Sequence, residues 1–426
     1  MNKEILTSKR TNDSCIHVKH ESGLNIYICE MPGYNSVHAL FGTKYGSVNT
    51  SFKTDSDTEF TTVPNGIAHF LEHKLFENED CGVFELFAKT GASANAFTSF
   101  DKTCYLFSCS GDYSENLRIL LDFVQKPFFT KENVDKEQGI IGQEIRMTND
   151  NPEWRVFFNM LRCMYHEHPV KIDIAGTEES IAEITAELLY KCYNTFYDLN
   201  NMTLSIAGNV KADEVLKICD EMLRPCEDKH LENFFPDEPL DIVKPEIREK
   251  QAVGTSIFNL GFKCVPVKGY ENLKNNITAS LAVSVIIDAS SEMYNRLMSD
   301  GIINTSFGSE VFSGDDYSAV IFSGESSRPD EVRDSIVKEI ARISEEGVDE
   351  KVFARIKKAA YGNLVRSLNN VESVASMMIN SEMSGYKPYD AINTFSEITS
   401  ADILDFIKTK LRSDRMVLSV IERMDS

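Results

Sequence analysis

Two histidines four residues apart, with a glutamate directly before the second, are the residues here best suited to chemistry: His69-Phe70-Leu71-Glu72-His73. On a helix that spacing stacks both imidazoles on one face, close enough to share one metal ion. Glu72 then projects beside the ion and is free to act on a metal-held water. The order His-x-x-Glu-His is the inverted form of the zinc-hydrolase motif. Catalytic zinc needs three protein ligands and an open fourth position, whereas structural zinc is closed by four, commonly cysteines. A third ligand must therefore come from elsewhere. Glu77, four residues after His73, is a rival carboxylate. Its place at the end of the helix suits capping or solvation better.

Downstream, Glu137 and Glu144 stand seven apart, two turns along one helical face. The stretch reads as helix despite Gly139 and Gly142, with Ile140, Ile141 and Ile145 as its apolar stripe. One carboxylate can ligate the metal. The other can hold a ligand histidine or the substrate in place.

The flanking residues resemble the insulinase (pitrilysin) family of zinc metallopeptidases. Asn65-Gly66-Ile67-Ala68 precedes the first histidine, and Lys74-Leu75-Phe76-Glu77 follows the second. Gly91-Ala92-Ser93-Ala94-Asn95-Ala96-Phe97-Thr98 is similar to the family's edge strand with its N-A-x-T core. His168-Pro169, Ala175-Gly176-Thr177 and Ile181 resemble its H-P…G…I stretch, and Asn201-Met202 with Ala207-Gly208-Asn209 its N-M…G-N close. The likeness runs from about Gly23 to about Asn209. It implies one Zn²⁺ per chain on His69, His73 and Glu144, Glu72 as general base, and Glu137 as an auxiliary catalytic residue. It also implies an unfolded peptide substrate lying against Ala94, Asn95 and Ala96. Small side chains there let a peptide add to a sheet edge through main-chain hydrogen bonds.

The expected chemistry is peptide hydrolysis. Zinc lowers the pKa of its bound water towards ~7, and Glu72 takes the proton and passes it to the leaving amine. The competing readings are a non-catalytic scaffold subunit of a protease-like complex and a zinc-dependent peptide-binding module without turnover. Scaffold relatives typically lose zinc residues, whereas His69, Glu72, His73 and Glu144 are all present.

Composition agrees with a soluble enzyme. The 426 residues, 42% hydrophobic, suffice for two or more packed domains. A net charge of −22 repels a phosphate backbone and excludes nucleic acid as a partner. None of the ten cysteines forms a C-x-x-C pair. Cys15, Cys29, Cys81, Cys104, Cys109, Cys163, Cys192, Cys219, Cys226 and Cys264 read as buried small hydrophobes in a reducing compartment. No apolar leader or membrane-spanning run is present, so a cytoplasmic protein is expected.

The organisation reads as α+β, with two homologous domains, each a mixed β-sheet with packed helices. Residues 1–225 form the zinc-binding domain, 226–243 a polar, Pro-rich linker, and 244–426 a non-catalytic partner domain. Leu24–Cys29, His38–Gly42 and Thr103–Ser108 read as strands, and Glu115–Val124 and Glu179–Tyr193 as helices. An internal repeat aligns Tyr105-Leu106-Phe107-Ser108 with Val320-Ile321-Phe322-Ser323. Continued along the chain, it sets Ile356 opposite Glu137 and Asn363 opposite Glu144. No histidine follows His230, so the second half offers no imidazole site.

Large insulinases carry four such domains, and this chain has room for two. The resemblance therefore implies a second subunit closing a chamber. In the family an arginine and a tyrosine help hold substrate. Met298 and Asn304 stand near their places here, with Tyr294 and Arg296 as weaker substitutes. A heterodimer with a related chain supplying Arg and Tyr is expected, in preference to a homodimer.

Overall fold

The structure, a computed structural model, describes residues 2–77, 79 and 82–424. It divides into two compact units. The first comprises Met1–Ile145, Asp173–Phe235 and Val365–Tyr389; the second comprises Arg146–Ile172, Pro236–Leu364 and Asp390–Ser426.

The first unit holds a seven-stranded mixed sheet. In spatial order its strands are Asn2–Thr7, Ser14–Lys19, Asn25–Glu30, Met202–Gly208, Ser36–Thr43, Thr103–Ser110 and Ser93–Thr98. The second holds five: Glu246–Gln251, Met416–Arg423, Ile257–Lys263, Ser318–Glu325 and Gly308–Ser313. The last five strands of the first sheet and the five of the second share one topology. In each, the first pair is parallel and the others antiparallel. The repeat seen in sequence has the same register in both. Ser93 faces Ser108 and Thr98 faces Thr103; Gly308 faces Ser323 and Ser313 faces Ser318.

The helices repeat as well. Ser114–Val124, Lys131–Asp150 and Pro152–Met164 correspond in order to Pro329–Glu346, Glu350–Ser367 and Val371–Met383. The third helix of each series does not cover the sheet of its own half. Val371–Met383 lies across the strands Asn25–Glu30, Met202–Gly208 and Ser36–Thr43 of the first unit. There Tyr27 Oη donates to Glu382 at 2.6 Å and Ser205 Oγ to the Ala375 carbonyl at 2.8 Å. Pro152–Met164 lies across the second sheet, where Met160 and Met164 fill the space left by Gly261. The compact units are therefore discontinuous in sequence. Within residues 226–243, Glu232–Asn233 pairs with Ser51–Lys53, adding a strand to the first unit.

Three local expectations need correction. Ile140 is 45% exposed, and the buried face of its helix is formed by Val134, Glu137, Ile141, Gly142 and Ile145. Glu179–Tyr193 is two helices, Glu178–Ala182 and Ala186–Phe196, because Thr185 caps a new start by accepting from the Leu188 amide. Cys226 is exposed, while the other described cysteines are buried; Cys81 lies outside the described residues. Leu117, Leu120, Leu121 and Val124 point inward as their spacing predicts. No helix among the described residues is long and apolar enough to cross a membrane.

The second unit is tied by a buried ion pair. Lys263, 3% exposed, donates to Glu238 Oε1 at 2.6 Å and to the Met164 and Pro239 carbonyls at 2.7 Å. Glu238 also accepts from the amides of His166, Glu167 and His168. Burial alone would raise its pKa, but Lys263 and the three amides outweigh it and hold the carboxyl down at about 2. Its stabilising effect is thus present above the ordinary 4.5 and lost as pH falls towards 2. Glu238→Ala leaves a buried ammonium unpaired and is expected to cost about 3–5 kcal/mol. Urea unfolding at neutral pH measures this; a loss under ~1 kcal/mol would show the pair is well solvated.

Candidate active site

The motif forms the helix Ile67–Leu75, started by Gly66 in the left-handed region at φ 89°. A Cβ on Gly66 would meet the Ala175 carbonyl oxygen at 2.3 Å, so only glycine lets these backbones touch. Ser180 Oγ donates to the Asn65 carbonyl and fixes the same junction. Ile67, Ala68, Phe70, Leu71 and Leu75 are buried. This apolar face anchors the helix and turns His69, Glu72 and His73 to the other side, each only partly buried.

His69, His73 and Glu144 converge. One ligand atom from each lies within 4.8 Å of the others. Nε2 of His69 is 3.6 Å from Glu144 Oε1, and Nε2 of His73 is 3.6 Å from Oε2. Ligand atoms around a tetrahedral zinc stand about 3.3 Å apart, so two imidazoles and a carboxylate at this spacing fit the ion. Nδ1 of His73 is hydrogen-bonded to Glu137 Oε1 at 3.0 Å, which fixes the tautomer with Nε2 free to ligate. Burial, and then the neighbouring His73, push the His69 pKa down to about 3, so that imidazole stays neutral. Burial also pulls His73 down, but Glu137, Glu72 and Glu144 outweigh it and raise its pKa.

Glu72 is placed differently. Oε2 accepts a hydrogen bond from Thr98 Oγ1 at 2.8 Å. Burial raises its pKa, opposed by that hydrogen bond. The Thr98 backbone also lies within bonding reach of the carboxylate, so both donors to Glu72 come from one residue. Glu77, the rival carboxylate, accepts from Lys74 and Lys136.

Among the described residues, the strand Ser93–Thr98 is the last in its sheet and pairs only with Thr103–Ser110. Ala94 and Ala96 pack against the core, while Asn95 is exposed with Oδ1 accepting from the Ala96 amide. In the second unit, Arg296 lies 3.4 Å from Ser335 Oγ, Tyr294 rests near the Phe307 ring, and Asn304 donates to Glu325. Met298 is half-buried on the helix Glu292–Ser299.

Two residues of this site carried no role in the sequence reading. Lys74 is fully buried, bonded to Glu77 and 3.7 Å from Glu137. The signal was there: positions 67, 70, 71, 74 and 75 form the apolar face, so a lysine among them needs buried carboxylates. Thr98 could have been found from strand alternation, which sets it on the same side as Ala94 and Ala96.

A family model described as insulinase (peptidase family M16) matches residues 59–178, and one described as peptidase M16 inactive domain matches 183–360. A relative from Bacillus subtilis (strain 168), uncharacterized zinc protease YmfH, is 37% identical over 424 residues, covering 96% of this chain and 97% of its own. The chain belongs to the insulinase (M16) family. The solved structure of an M16-like peptidase from Alicyclobacillus acidocaldarius shares 32% identity and a TM-score of 0.93, over 99% of this M16 chain and 98% of that one. Pitrilysin shares the fold, with a TM-score of 0.76 at 15% identity; 99% of this chain matches 46% of pitrilysin.

Proposed function

We propose that this M16 chain is a zinc-dependent endopeptidase acting on unfolded peptides, with one Zn²⁺ held by His69, His73 and Glu144. The observation that carries the reading is the convergence of those three donors beside a carboxylate, Glu72, that is not one of them and is held by Thr98. When bound, the ion supplies Lewis acidity, acidifying a water and polarising the peptide carbonyl. Glu72 takes the water's proton and delivers it to the leaving amine. Glu137 holds His73 in orientation and so acts through it. The substrate extends the sheet at Ser93–Thr98, its main chain bonding beside Ala94, Asn95 and Ala96. Residues 1–225 are the catalytic domain and 244–426 its non-catalytic homologue, joined through 226–243. The unpaired, mostly buried cysteines favour a reducing compartment, the cytoplasm.

A second subunit completes the chamber in this reading. The chain spans 48% of the periplasmic protease PqqL from Escherichia coli and 93% of that protein's first half. Arg296 and Tyr294, the nearest candidates for the missing substrate-holding groups, are engaged within their own unit. The test is cleavage of an unstructured peptide and of a stably folded protein, with zinc content measured alongside. The chain alone is expected to cleave the peptide weakly. Adding a homologous subunit that carries Arg and Tyr but no zinc ligands is expected to raise the rate at least tenfold, with the folded protein left intact. Full activity from the chain alone, unchanged by mutating Tyr294 or Arg296, would remove the heterodimer. Zinc-loaded protein that binds the peptide without cleaving it in either preparation would favour a binding module.

A further inference from the structure

The hydroxyl that meets Glu72 comes from the strand proposed to dock substrate. Thr98 is the last residue of that strand, opposite Thr103. Its backbone is held by the turn that follows. The Ser99 amide donates to the Lys102 carbonyl at 2.8 Å, and the amides of Ser47 and Val48 donate to the Ser99 and Phe100 carbonyls at 3.0 Å. The hydroxyl therefore cannot drift with a mobile loop.

Its proton has one good destination. Thr103 Oγ1 lies 3.3 Å from Thr98 Oγ1, and Thr103 spends its own proton on the Tyr45 carbonyl at 2.8 Å. Glu72 Oε2, at 2.8 Å, is the closer acceptor and the charged one. A glutamate side chain otherwise keeps several rotamers. One fixed oxygen restricts the carboxylate to a single orientation.

We propose that Thr98 is the positioning residue for the general base: it clamps Glu72 Oε2 and ties the orientation of the base to the substrate-docking strand. The inference rests on the peptidase reading. A peptide added to Ser93–Thr98 lies on the same rigid element that aims the base. Docking and proton transfer then share one frame of reference, which keeps the reacting atoms aligned.

The test uses the full chain, alone or with the homologous subunit as the wild type requires, comparing Thr98→Val and Thr98→Ser. Thr98→Val keeps the shape and the strand but removes the hydroxyl. It is expected to lower kcat by about 10- to 100-fold, with KM within about twofold, zinc content unchanged, and most of the rate restored in Thr98→Ser. In the Glu72→Gln background the same change is expected to alter the residual rate less than about twofold, as expected for residues acting as a unit. Crystal structures of the zinc-loaded proteins give a readout independent of turnover: one Glu72 rotamer in wild type and Thr98→Ser, a displaced or divided one in Thr98→Val. A Thr98→Val protein with wild-type kcat, a raised KM alone, no rescue by serine, or Glu72 unmoved in the crystal would each overturn the proposal. A wild type without peptidase activity would sink the parent reading, while the rotamer comparison would still decide the role of Thr98.

Discussion

Glu72→Gln is expected to bind one zinc per chain and lose about 10²- to 10⁴-fold in peptide cleavage, whereas His73→Ala loses the metal and the activity together. The difference follows from what each side chain touches. Glu72 accepts from Thr98 and lies outside the cluster of His69, His73 and Glu144, so the isosteric amide is expected to leave the proposed metal site in place. What is lost is an acceptor for the water's proton, and general acid–base catalysis is worth roughly 10²–10⁴. His73 lies 3.6 Å from Glu144 and 3.0 Å from Glu137. Its removal leaves two ligands, too few for a tight site. Elemental analysis with steady-state cleavage of one unstructured peptide separates the two. Cleavage by Glu72→Gln at the wild-type rate would end its assignment as the base.

The two glutamates of Lys131–Asp150 are expected to separate just as clearly. Glu144→Gln removes a carboxylate from the proposed zinc site and should abolish stoichiometric zinc and activity. Glu137→Gln should keep measurable zinc, with affinity or activity down about 10- to 100-fold, as removal of a group behind a ligand histidine usually gives. The reason is depth and direction. Glu137 is buried, aimed at His73 Nδ1 and flanked by Lys74; Glu144 is 40% exposed and faces both imidazoles. Chelator competition gives the zinc affinity of each variant. Loss of zinc in Glu137→Gln with zinc retained in Glu144→Gln would exchange their roles.

Much of this protein was legible in its residues. The four-residue spacing of His69 and His73 and the seven-residue spacing of Glu137 and Glu144 are helical geometry, set by backbone hydrogen bonding alone. The hairpin repeat was legible for a similar reason, because strand period and turn position recur in both halves. Tertiary structure decided the rest. Ile140 satisfies a helical stripe yet is exposed, because a stripe gives the period of a helix but not which side meets the core. Thr185 restarts a helix inside a continuous pattern by capping, which a count of apolar residues does not register. The covering of each sheet by a helix from the other half leaves no mark in composition. Lys74 and Thr98 are joined to the site by partners distant in sequence, Glu137 and Glu72. Sequence by itself determined which atoms could hold a metal and that they share helical faces. Only the fold determined which carboxylate meets both imidazoles and what holds Glu72 in place, because those contacts join a helix to a strand and a helix to a helix across the core.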